Sequence, residues 1–323
     1  MDKPKALIIG ISGQDGAYLA KLLISKGYKV FGATRDSSMC DTSKLSKLRI
    51  IEDVILLSLA PNDFRSVIKA INSINPDEVY YLAGLTSVGL SFEQPVECME
   101  SISLGTLNFL EAIKLNQKKI KFFNAGSSEC FGNTNKLIAN EKTVFSPRSP
   151  YATAKATAYW MVNNYRESYE IFCCTGIMGN HESPLRNKRF VTKKIISGVW
   201  DIVCKKSKEL RLGNLDTWRD WGWAPEYVEA MYLMMQSEVP QDYIIATGET
   251  NSLKDFVSMA FKKFDLDESK FVIYDEKLLR PSDIKYSFLD PSKIHKNLNW
   301  KSQKNLVNII DSMFEEFTNP CFY

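Results

Sequence analysis

The segment Ala6-Leu-Ile-Ile-Gly10-Ile-Ser-Gly13-Gln-Asp-Gly16 decides the fold of this chain of 323 residues. A short apolar run that ends in glycine is typical of a buried parallel strand. The apolar positions that follow predict a helix that begins near Asp15. Glycines at such a turn let the backbone approach the diphosphate of a dinucleotide, whose charge is favoured at a helix N-terminus. Gly10, Gly13 and Gly16 are therefore predicted to bind a dinucleotide cofactor.

The same strand-helix alternation continues through residue 178. Strands are predicted near residues 6–10, 28–33, 53–58, 78–82, 119–125 and 171–178. This pattern indicates an α/β fold with a doubly wound parallel sheet of the Rossmann type. Residues 1–180 are predicted to form the cofactor domain. The segment from about 224 to 250 is predicted to return to this domain. Residues 181–323 are predicted to form mainly a smaller α/β lobe, which binds the substrate over the carboxyl edge of the sheet.

The end of the second predicted strand bears on the choice of cofactor. An acid about 20 residues past the glycines usually binds the ribose 2′-hydroxyl of NAD, whereas an arginine accommodates the 2′-phosphate of NADP. Arg35 and Ser37 favour NADP, and Asp36 between them would repel a phosphate if it pointed inward. We expect Asp36 to face solvent. NADP is therefore the predicted cofactor, and NAD stays possible because of Asp36.

Tyr151 and Lys155 stand four residues apart in a segment, 149–169, that is predicted to be helical. This spacing places both side chains on one helix face. A nearby ammonium group favours the phenolate, so Tyr151 is expected to act as a base below the usual tyrosine pKa of about 10. Lys155 can also hold the nicotinamide ribose. A surface pair is the alternative interpretation.

Ser127 and Glu129 follow a predicted buried strand and therefore lie at the sheet edge where α/β proteins bind ligands. Ser127 can hydrogen-bond the substrate hydroxyl that Tyr151 deprotonates. Glu129 is an acid-base candidate, because a dehydration removes a carbon-bound proton and a hydroxyl group. The alternative for Glu129 is a local cap or ion pair. An oxidation coupled to dehydration is the predicted chemistry.

The composition is that of an ordinary soluble globular protein, with 45% hydrophobic and 24% charged residues. A net charge of +3 with no basic stripe argues against nucleic-acid binding. The seven cysteines are odd in number and show no metal-ligand spacing, so neither disulfides nor a metal site is expected. No apolar run is long enough for a membrane span, and the first strand leaves no room for a signal peptide. We therefore expect a cytoplasmic protein with no membrane or nucleic-acid partner.

Motifs along almost the whole chain resemble the GDP-mannose 4,6-dehydratases of the extended short-chain dehydrogenase/reductase superfamily. The glycine spacing G-x-x-G-x-x-G is the form that relatives of short-chain dehydrogenases use. The matching segments are GISGQDGAYLAKLL (10–23), SPRSPYATAK (146–155), NYRESY (164–169), NHESP (180–184), FVTK (190–193), LGNLD (212–216), RDWG (219–222) and IATG (245–248).

The resemblance implies an internal redox cycle on a GDP-sugar with tightly held NADP, in a homodimer or homotetramer. Ser127, Glu129, Tyr151 and Lys155 would be the catalytic residues. The implied cofactor contacts are Gly10, Gly13, Gln14, Asp15, Gly16, Arg35, Ser37, Leu82, Ala83, Thr86, Tyr151, Lys155 and His181. The implied substrate contacts are Thr86, Ser127, Glu129, Asn180, Val191, Lys193, Leu212, Asn214, Arg219, Arg280 and Asp283.

Several positions depart from the family pattern. Asp36 replaces a second arginine, an aspartate usual after the third strand is replaced within SLAPN (58–62), and the segment AGLT (83–86) differs from Ala-Ala-Gln-Ser. These changes leave GDP-mannose as the predicted substrate, with GDP-N-acetylglucosamine or a GDP-heptose as alternatives. A sugar-nucleotide 4-epimerase would need no acid at position 129. A non-catalytic NADP sensor would not need to keep all four catalytic residues.

Overall fold

The computed structural model describes residues 3–319, in which strands and helices alternate along most of the chain. The strands are β1 Lys5–Ile9, β2 Lys29–Thr34, β3 Val54–Ser58, β4 Glu78–Tyr81, β5 Lys121–Ala125, β6 Ile138–Ala139, β7 Cys173–Met178, β8 Asn180–Glu182, β9 Leu210–Leu212, β10 Trp218–Trp223, β11 Tyr243–Ile245, β12 Thr250–Ser252, β13 Val272–Tyr274 and β14 Phe288–Leu289. The α-helices are α1 Gln14–Ser25, α2 Ser43–Lys47, α3 Phe64–Ile74, α4 Val88–Glu93, α5 Pro95–Met99, α6 Gly105–Lys114, α7 Pro150–Tyr169, α8 Val191–Val203, α9 Ala224–Gln236, α10 Leu253–Lys262, α11 Ser292–Leu298 and α12 Leu306–Thr318. Short 3-10 helices span Ile51–Asp53, Ser128–Phe131, Glu268–Lys270 and Glu276–Leu278, and a π-helical turn spans Glu100–Leu104.

The central sheet contains seven strands in the order β11-β7-β5-β4-β1-β2-β3. Every neighbouring pair in it is parallel. The chain order reverses between β1 and β4, which makes the carboxyl edge at these strands the place where a doubly wound sheet binds ligands. The prediction of a doubly wound parallel sheet is confirmed, and each of the six predicted strands is present.

Both faces of the sheet are buried, as the apolar runs in its strands predict. In β1, Ala6 and Ile8 belong to the apolar cluster on one face, whereas Leu7 and Ile9 belong to the cluster on the other face. All four side chains are almost fully buried. A strand that is covered on both sides must be apolar at every position, which explains why β1 lacks polar alternation.

The residues after 180 build a smaller lobe and also return to the main sheet. A three-stranded sheet, β12-β10-β8, packs with α8, α10 and α12 around a separate apolar cluster that includes Ile195, Phe256 and Ile309. Helix α9 packs on α1, and β11 extends the central sheet beside β7. The division of the chain at residue 180 stays a prediction, and the returning segment corresponds to α9 and β11.

The carboxylate of Asp242 ties α7 to the edge of the central sheet. It accepts hydrogen bonds from both terminal nitrogens of Arg166, at 3.0 and 2.6 Å, and from the backbone N–H of Thr175 at 2.7 Å. Arg166 also donates to the carbonyl oxygen of Cys173 at 3.2 Å. Because α7 carries Tyr151 and Lys155, this largely buried pair contributes to the placement of both side chains.

We expect Asp242→Ala to lower the free energy of unfolding by about 3–5 kcal/mol, because it leaves the Arg166 guanidinium unpaired in a mostly buried position. Chemical denaturation followed by circular dichroism measures this loss. Glu167→Ala, which removes an exposed acid from the same helix, is the control and should change stability by about 0.5 kcal/mol or less. Equal effects of the two variants would contradict a structural role for Asp242.

Candidate active site

The glycine turn lies at the carboxyl end of β1, where the backbone is too crowded for a side chain. Gly10 adopts a φ of +95°, and a Cβ atom there would lie 3.0 Å from the backbone nitrogen of Ala83 and 3.0 Å from the carbonyl carbon of Leu82. A Cβ at Gly16 would lie 2.3 Å from the carbonyl oxygen of Gly10. Only glycine fits these two positions. The tight turn and the start of α1 behind it suit a dinucleotide diphosphate.

Gln14 and Asp15 attach the glycine turn to β8. The Gln14 amide donates to the backbone oxygen of His181 at 3.1 Å and accepts from the Ser183 hydroxyl at 2.7 Å. The Asp15 carboxylate lies 2.9 Å from Nε2 of His181. These contacts hold two predicted cofactor residues and His181 in one network, which fixes the turn against the smaller lobe.

The network favours the protonated form of His181, since both of its ring nitrogens face acceptors. Nδ1 lies 2.9 Å from the carbonyl oxygen of Gly179, and Nε2 lies 2.9 Å from Asp15. The ring is buried and stacks on Tyr227. Burial lowers the pKa of His181, but the Asp15 carboxylate raises it more, so the pKa lies above its usual value. In return, His181 overcomes the effect of burial on Asp15 and lowers the pKa of that carboxyl.

We expect His181→Gln to destabilise the protein by about 1.5–3 kcal/mol near pH 6, because it removes a hydrogen bond between charged groups. A histidine whose folded pKa is raised stabilises the fold fully below its unfolded pKa of about 6.5 and loses that contribution as pH rises through the folded value. The difference between wild type and variant should therefore shrink towards alkaline pH. Denaturant titrations across this range measure it, and a difference that grows with pH would contradict the charged state of His181.

The loop after β2 places its polar side chains in different directions. Asp36 is exposed, and its carboxylate accepts from the backbone N–H and hydroxyl of Ser38 at 2.9 and 2.6 Å. Ser37 contacts the Ser58 hydroxyl at the end of β3. Arg35 forms an exposed ion pair with Glu97. Asp36 is thus turned into its own loop and faces solvent, which leaves Arg35 and the serine hydroxyls to meet a cofactor.

Tyr151, Lys155 and Ser127 lie together where α7 passes the end of β5. The Ser149 hydroxyl caps α7, and Pro150 occupies its first turn, so the helix begins directly before Tyr151. Lys155 is buried and donates to the carbonyl oxygen of Ala125 at 2.6 Å, with its Nζ 5.8 Å from the centre of the Tyr151 ring. The Ser127 hydroxyl lies near the Tyr151 phenol and lowers its pKa. Tyr151 and Lys155 are therefore not a surface pair.

The expectation that Lys155 lowers the pKa of Tyr151 is not met by the protein's own groups. Burial raises the pKa of Tyr151 well above its usual range, and the Ser127 hydroxyl opposes this only in part. Lys155 donates to a backbone carbonyl instead of to the phenol, and burial lowers its own pKa to about 8. Desolvation outweighs the ammonium field here because both side chains are buried in the same low-dielectric region.

Glu129 extends from the 3-10 helix after β5 and remains open to the site. Its side chain is 16% exposed, and no group among residues 3–319 donates a hydrogen bond to its carboxylate oxygens. Burial raises the pKa of Glu129, while Arg219 and Arg280 oppose this rise. A carboxyl group with a raised pKa and free oxygens is suited to proton transfer near neutral pH.

Arg219, Asp283 and Arg280 form a chain of alternating charges beside Glu129. The buried Arg219 places Nε 3.8 Å from Glu129 and Nη2 3.2 Å from Asp283. Arg280 lies 3.5 Å from the same Asp283 oxygen and is more exposed. Both guanidinium groups are paired with Asp283, and arginine is a residue type that suits diphosphate recognition.

Other predicted substrate residues lie apart from this group. Lys193 is buried, donates to the carbonyl oxygen of Pro184 at 2.9 Å and pairs with Glu316 of α12, so its charge is already neutralised. Val191 and Leu212 belong to the apolar cluster of the smaller lobe. Asn214 and Thr86 are exposed, and Asn180 is partly buried at the start of β8. Their binding roles stay predictions.

Two cations near the site were not identified in the sequence analysis. Arg186 forms an ion pair with Glu182 at 3.2 Å and lowers the pKa of both Asp15 and Tyr151. Lys44 of α2 donates to the carbonyl oxygen of Ser12 in the glycine turn at 2.9 Å. Arg186 lies two residues after the segment 180–184 and could have been found there. Lys44 belongs to a small basic cluster beside the cofactor loop that the sequence favours as a solvated face, and its contact with Ser12 depends on how α2 folds over the turn.

Residues 3–319 contain no group of three or more His, Cys, Asp or Glu side chains that could hold a metal ion. Cys321 lies outside this part of the chain, and the other six cysteines are free thiols. Within the described residues, every helix is too short or too polar to cross a membrane.

Comparison with known proteins agrees with this architecture. The model of the GDP-mannose 4,6 dehydratase family matches residues 7–313. GDP-mannose 4,6 dehydratase 2 of Arabidopsis thaliana is 40% identical over 321 residues, which cover 96% of this chain and 86% of the relative. GDP-mannose 4,6 dehydratase of Drosophila melanogaster is 39% identical, and the alignment covers 96% of this chain and 85% of the relative. Among solved structures, a dTDP-glucose 4,6-dehydratase of Bacillus anthracis in complex with NAD has a TM-score of 0.85 at 14% identity. The superposition covers 99% of this chain and 98% of that structure, so the two share the fold. The long family match and the high coverage of both relatives show that this chain belongs to the GDP-mannose 4,6-dehydratase family.

Proposed function

We propose that this protein is a hydro-lyase that converts GDP-mannose into GDP-4-keto-6-deoxymannose with tightly bound NADP. The observation that carries this proposal is the position of Glu129. Its carboxylate, with a raised pKa and free oxygens, shares the site with Tyr151, which contacts Ser127. A plain oxidation of a hydroxyl group needs Tyr151 alone, whereas loss of water also needs a base for a carbon-bound proton.

Each protein group has a defined task in this reaction. Tyr151 takes the proton of the sugar's 4-hydroxyl, and Ser127 hydrogen-bonds the same oxygen. NADP held at the glycine turn by Arg35 and Lys155 would supply a hydride acceptor for C4 and a hydride donor for C6. The resulting 4-ketone acidifies the proton on C5, which Glu129 removes. The 6-hydroxyl then departs as water with the proton that Glu129 has gained, and the proton that Tyr151 took from the 4-hydroxyl balances the one added to C5 when the hydride reaches C6.

The loop around Arg35 supports NADP over NAD. Asp36 is exposed and bonded to Ser38, so it does not oppose a 2′-phosphate from inside the site. Arg35 and Ser37 can approach that phosphate if Arg35 leaves its exposed pair with Glu97 and Ser37 leaves its contact with Ser58. Mass spectrometry of the nucleotide released by denaturation tests this. NADP is the expected result, and NAD would show that the loop binds a ribose hydroxyl.

The guanidinium groups of Arg219 and Arg280 support a substrate with a diphosphate. Both arginines lie beside Glu129, so a sugar whose diphosphate they bind would come close to this carboxylate. Purified protein would be incubated with GDP-mannose, GDP-N-acetylglucosamine, a GDP-heptose and UDP- or dTDP-glucose, and products would be analysed by mass spectrometry. Loss of one water from GDP-mannose is the expected result. No loss from any substrate, despite bound cofactor, would overturn the dehydratase proposal in favour of an epimerase or a non-catalytic protein.

A second candidate is a dehydratase for another GDP-sugar, and the segment after β4 favours it. Gly84 has a φ of +128°, and a Cβ there would lie 2.5 Å from Cγ1 of Ile102. Leu85 packs in the apolar cluster that contains Tyr151 and Ile102. Leu85, an apolar side chain in the same cluster as Tyr151, would change the surface that contacts the sugar. Water loss from GDP-N-acetylglucosamine or a GDP-heptose alone would support this candidate.

A homodimer or homotetramer is part of the proposal. Helices α5 and α7 and the π-helical turn expose large apolar side chains, among them Val96 at 68% and Trp160 at 62%. Exposed apolar groups on neighbouring helices are typical of a protein-protein interface. Light scattering coupled to size-exclusion chromatography measures the oligomer. A monomer at micromolar concentration would contradict this part of the proposal.

A further inference from the structure

Within residues 3–319, Glu129 has one charged neighbour closer than 4 Å, Arg219, and other contacts already orient its guanidinium group. The Arg219 guanidinium donates from Nη1 to the carbonyl oxygen of Trp218 at 3.0 Å and from Nη2 to Asp283 at 3.2 Å. Its remaining edge, at Nε, faces the Glu129 carboxylate. Because Trp218 of β10 and Asp283 hold the Arg219 guanidinium group in place, its Nε edge is fixed towards Glu129.

The separation of 3.8 Å between Nε and the Glu129 carboxylate is beyond hydrogen-bond distance. The positive charge of Arg219 therefore stabilises the Glu129 carboxylate electrostatically, and both carboxylate oxygens stay without a hydrogen bond from Arg219. A base needs such an arrangement, because it must be ionised in the enzyme and yet have a lone pair directed at the substrate.

We infer that Arg219 is a positioning residue for Glu129: its fixed Nε edge holds a positive charge beside the carboxylate without a hydrogen bond to it, in addition to any contact with the substrate. This inference rests on the proposed function for the role of Glu129 as the C5 base. Arg219 would then serve both in binding the substrate diphosphate and in the proton transfer by Glu129.

The other charged and titratable groups around Glu129 do not replace Arg219 in this role. Arg280 is bound to Asp283 and acts on Glu129 more weakly than Arg219 does. Asp283 carries a like charge and raises the Glu129 pKa. Tyr151 on α7 and Cys130 on the same 3-10 helix are neutral at physiological pH, since burial raises the pKa of both. Arg219 is thus the dominant cation for this carboxylate within the described chain.

The first test measures the ionisation of Glu129 directly, without substrate. Infrared difference spectra of the holoenzyme across a pH titration would report the carboxyl band, with Glu129→Gln identifying the Glu129 contribution. We expect Arg219→Gln to raise the Glu129 midpoint by about one pH unit or more, because it removes an opposite charge within 4 Å of a largely buried carboxyl group. Arg219→Lys should restore part of the shift.

Arg280→Gln is the matched control, since it removes the same charge from the same edge of the site at a greater distance from Glu129. It should weaken substrate binding and shift the Glu129 midpoint by less than Arg219→Gln does. Equal shifts in the two variants, or no shift with Arg219→Gln in a folded protein, would overturn the inference.

The second test uses the reaction itself at saturating GDP-mannose. In Arg219→Gln, the acid limb of the pH profile for water loss should move to higher pH. Introduced into a Glu129→Gln protein, the same change should leave the pH profile of C4 oxidation unmoved, because that step depends on Tyr151. A change in KM with both profiles unmoved would mean that Arg219 only binds substrate. Absence of water loss in the wild type would instead defeat the proposed function, while the infrared titration would still decide the link between Arg219 and Glu129.

Discussion

Tyr151→Phe should reduce turnover of GDP-mannose by a factor of about 10²–10⁴, the usual contribution of a general acid-base group. The variant retains the ring that packs against Cys98 and Ile102 but lacks the hydroxyl that contacts Ser127. No other side chain in the described site can take the 4-hydroxyl proton from the same position. Both C4 oxidation and water loss should therefore disappear together, as measured by reduced-nicotinamide absorbance and by mass spectrometry.

Tyr169→Phe is the control for this experiment. Tyr169 is half-exposed at the other end of α7, about 27 Å from Tyr151 along the helix axis. It should have wild-type activity. Tyr151→Phe should retain its circular dichroism spectrum and its bound cofactor, because Lys155 and the glycine turn are untouched. Substantial turnover by a folded Tyr151→Phe protein would show that another group is the base for the hydroxyl.

Glu129→Gln should separate the two halves of the reaction. The amide is close in shape to the carboxylate but cannot accept the C5 proton, so water loss should fall by a factor of about 10²–10⁴. Oxidation at C4 should persist, and reduced cofactor should accumulate when GDP-mannose is added. Stopped-flow absorbance and mass spectrometry of the sugar nucleotide measure the two events separately.

The wild-type pH profile provides a further check on Glu129. Burial raises its pKa, so water loss should decline on the acid side at a pH above the ordinary glutamate value of about 4.3. Glu167→Gln, an exposed acid on α7, should leave both the rate and the profile unchanged. Water loss by Glu129→Gln at near the wild-type rate would make the assignment of the C5 base wrong.

Much of the fold is predictable because its signals are local. An apolar run, a glycine turn and a helix can each be recognised within a dozen residues, and parallel sheets bury both faces, so their strands are conspicuous. Ser127 and Glu129 could be located for the same reason, since the carboxyl ends of parallel strands meet at one edge. The return of β11 to the central sheet was indicated only in outline, because a three-residue strand carries little pattern.

The electrostatics of the site were harder to predict. Spacing along α7 placed Tyr151 and Lys155 on one face, but it could not show that Lys155 donates to Ala125 of β5 and that burial dominates the Tyr151 pKa. Lys193 was expected at the substrate, yet α12 brings Glu316 to it from more than 100 residues away. Such partners depend on packing between distant segments.

The sequence by itself determined the doubly wound sheet, the glycine turn at Gly10 and the identity of the groups available for proton transfer. These follow from apolar periodicity, from backbone conformations that only glycine adopts, and from side-chain chemistry. Only the tertiary structure decided that the Asp36 carboxylate bonds to Ser38, that His181 lies between Asp15 and Gly179, and that Arg219 faces Glu129. The physical reason is that charge states and ion pairs depend on burial and on distances of a few ångströms between residues far apart in the chain.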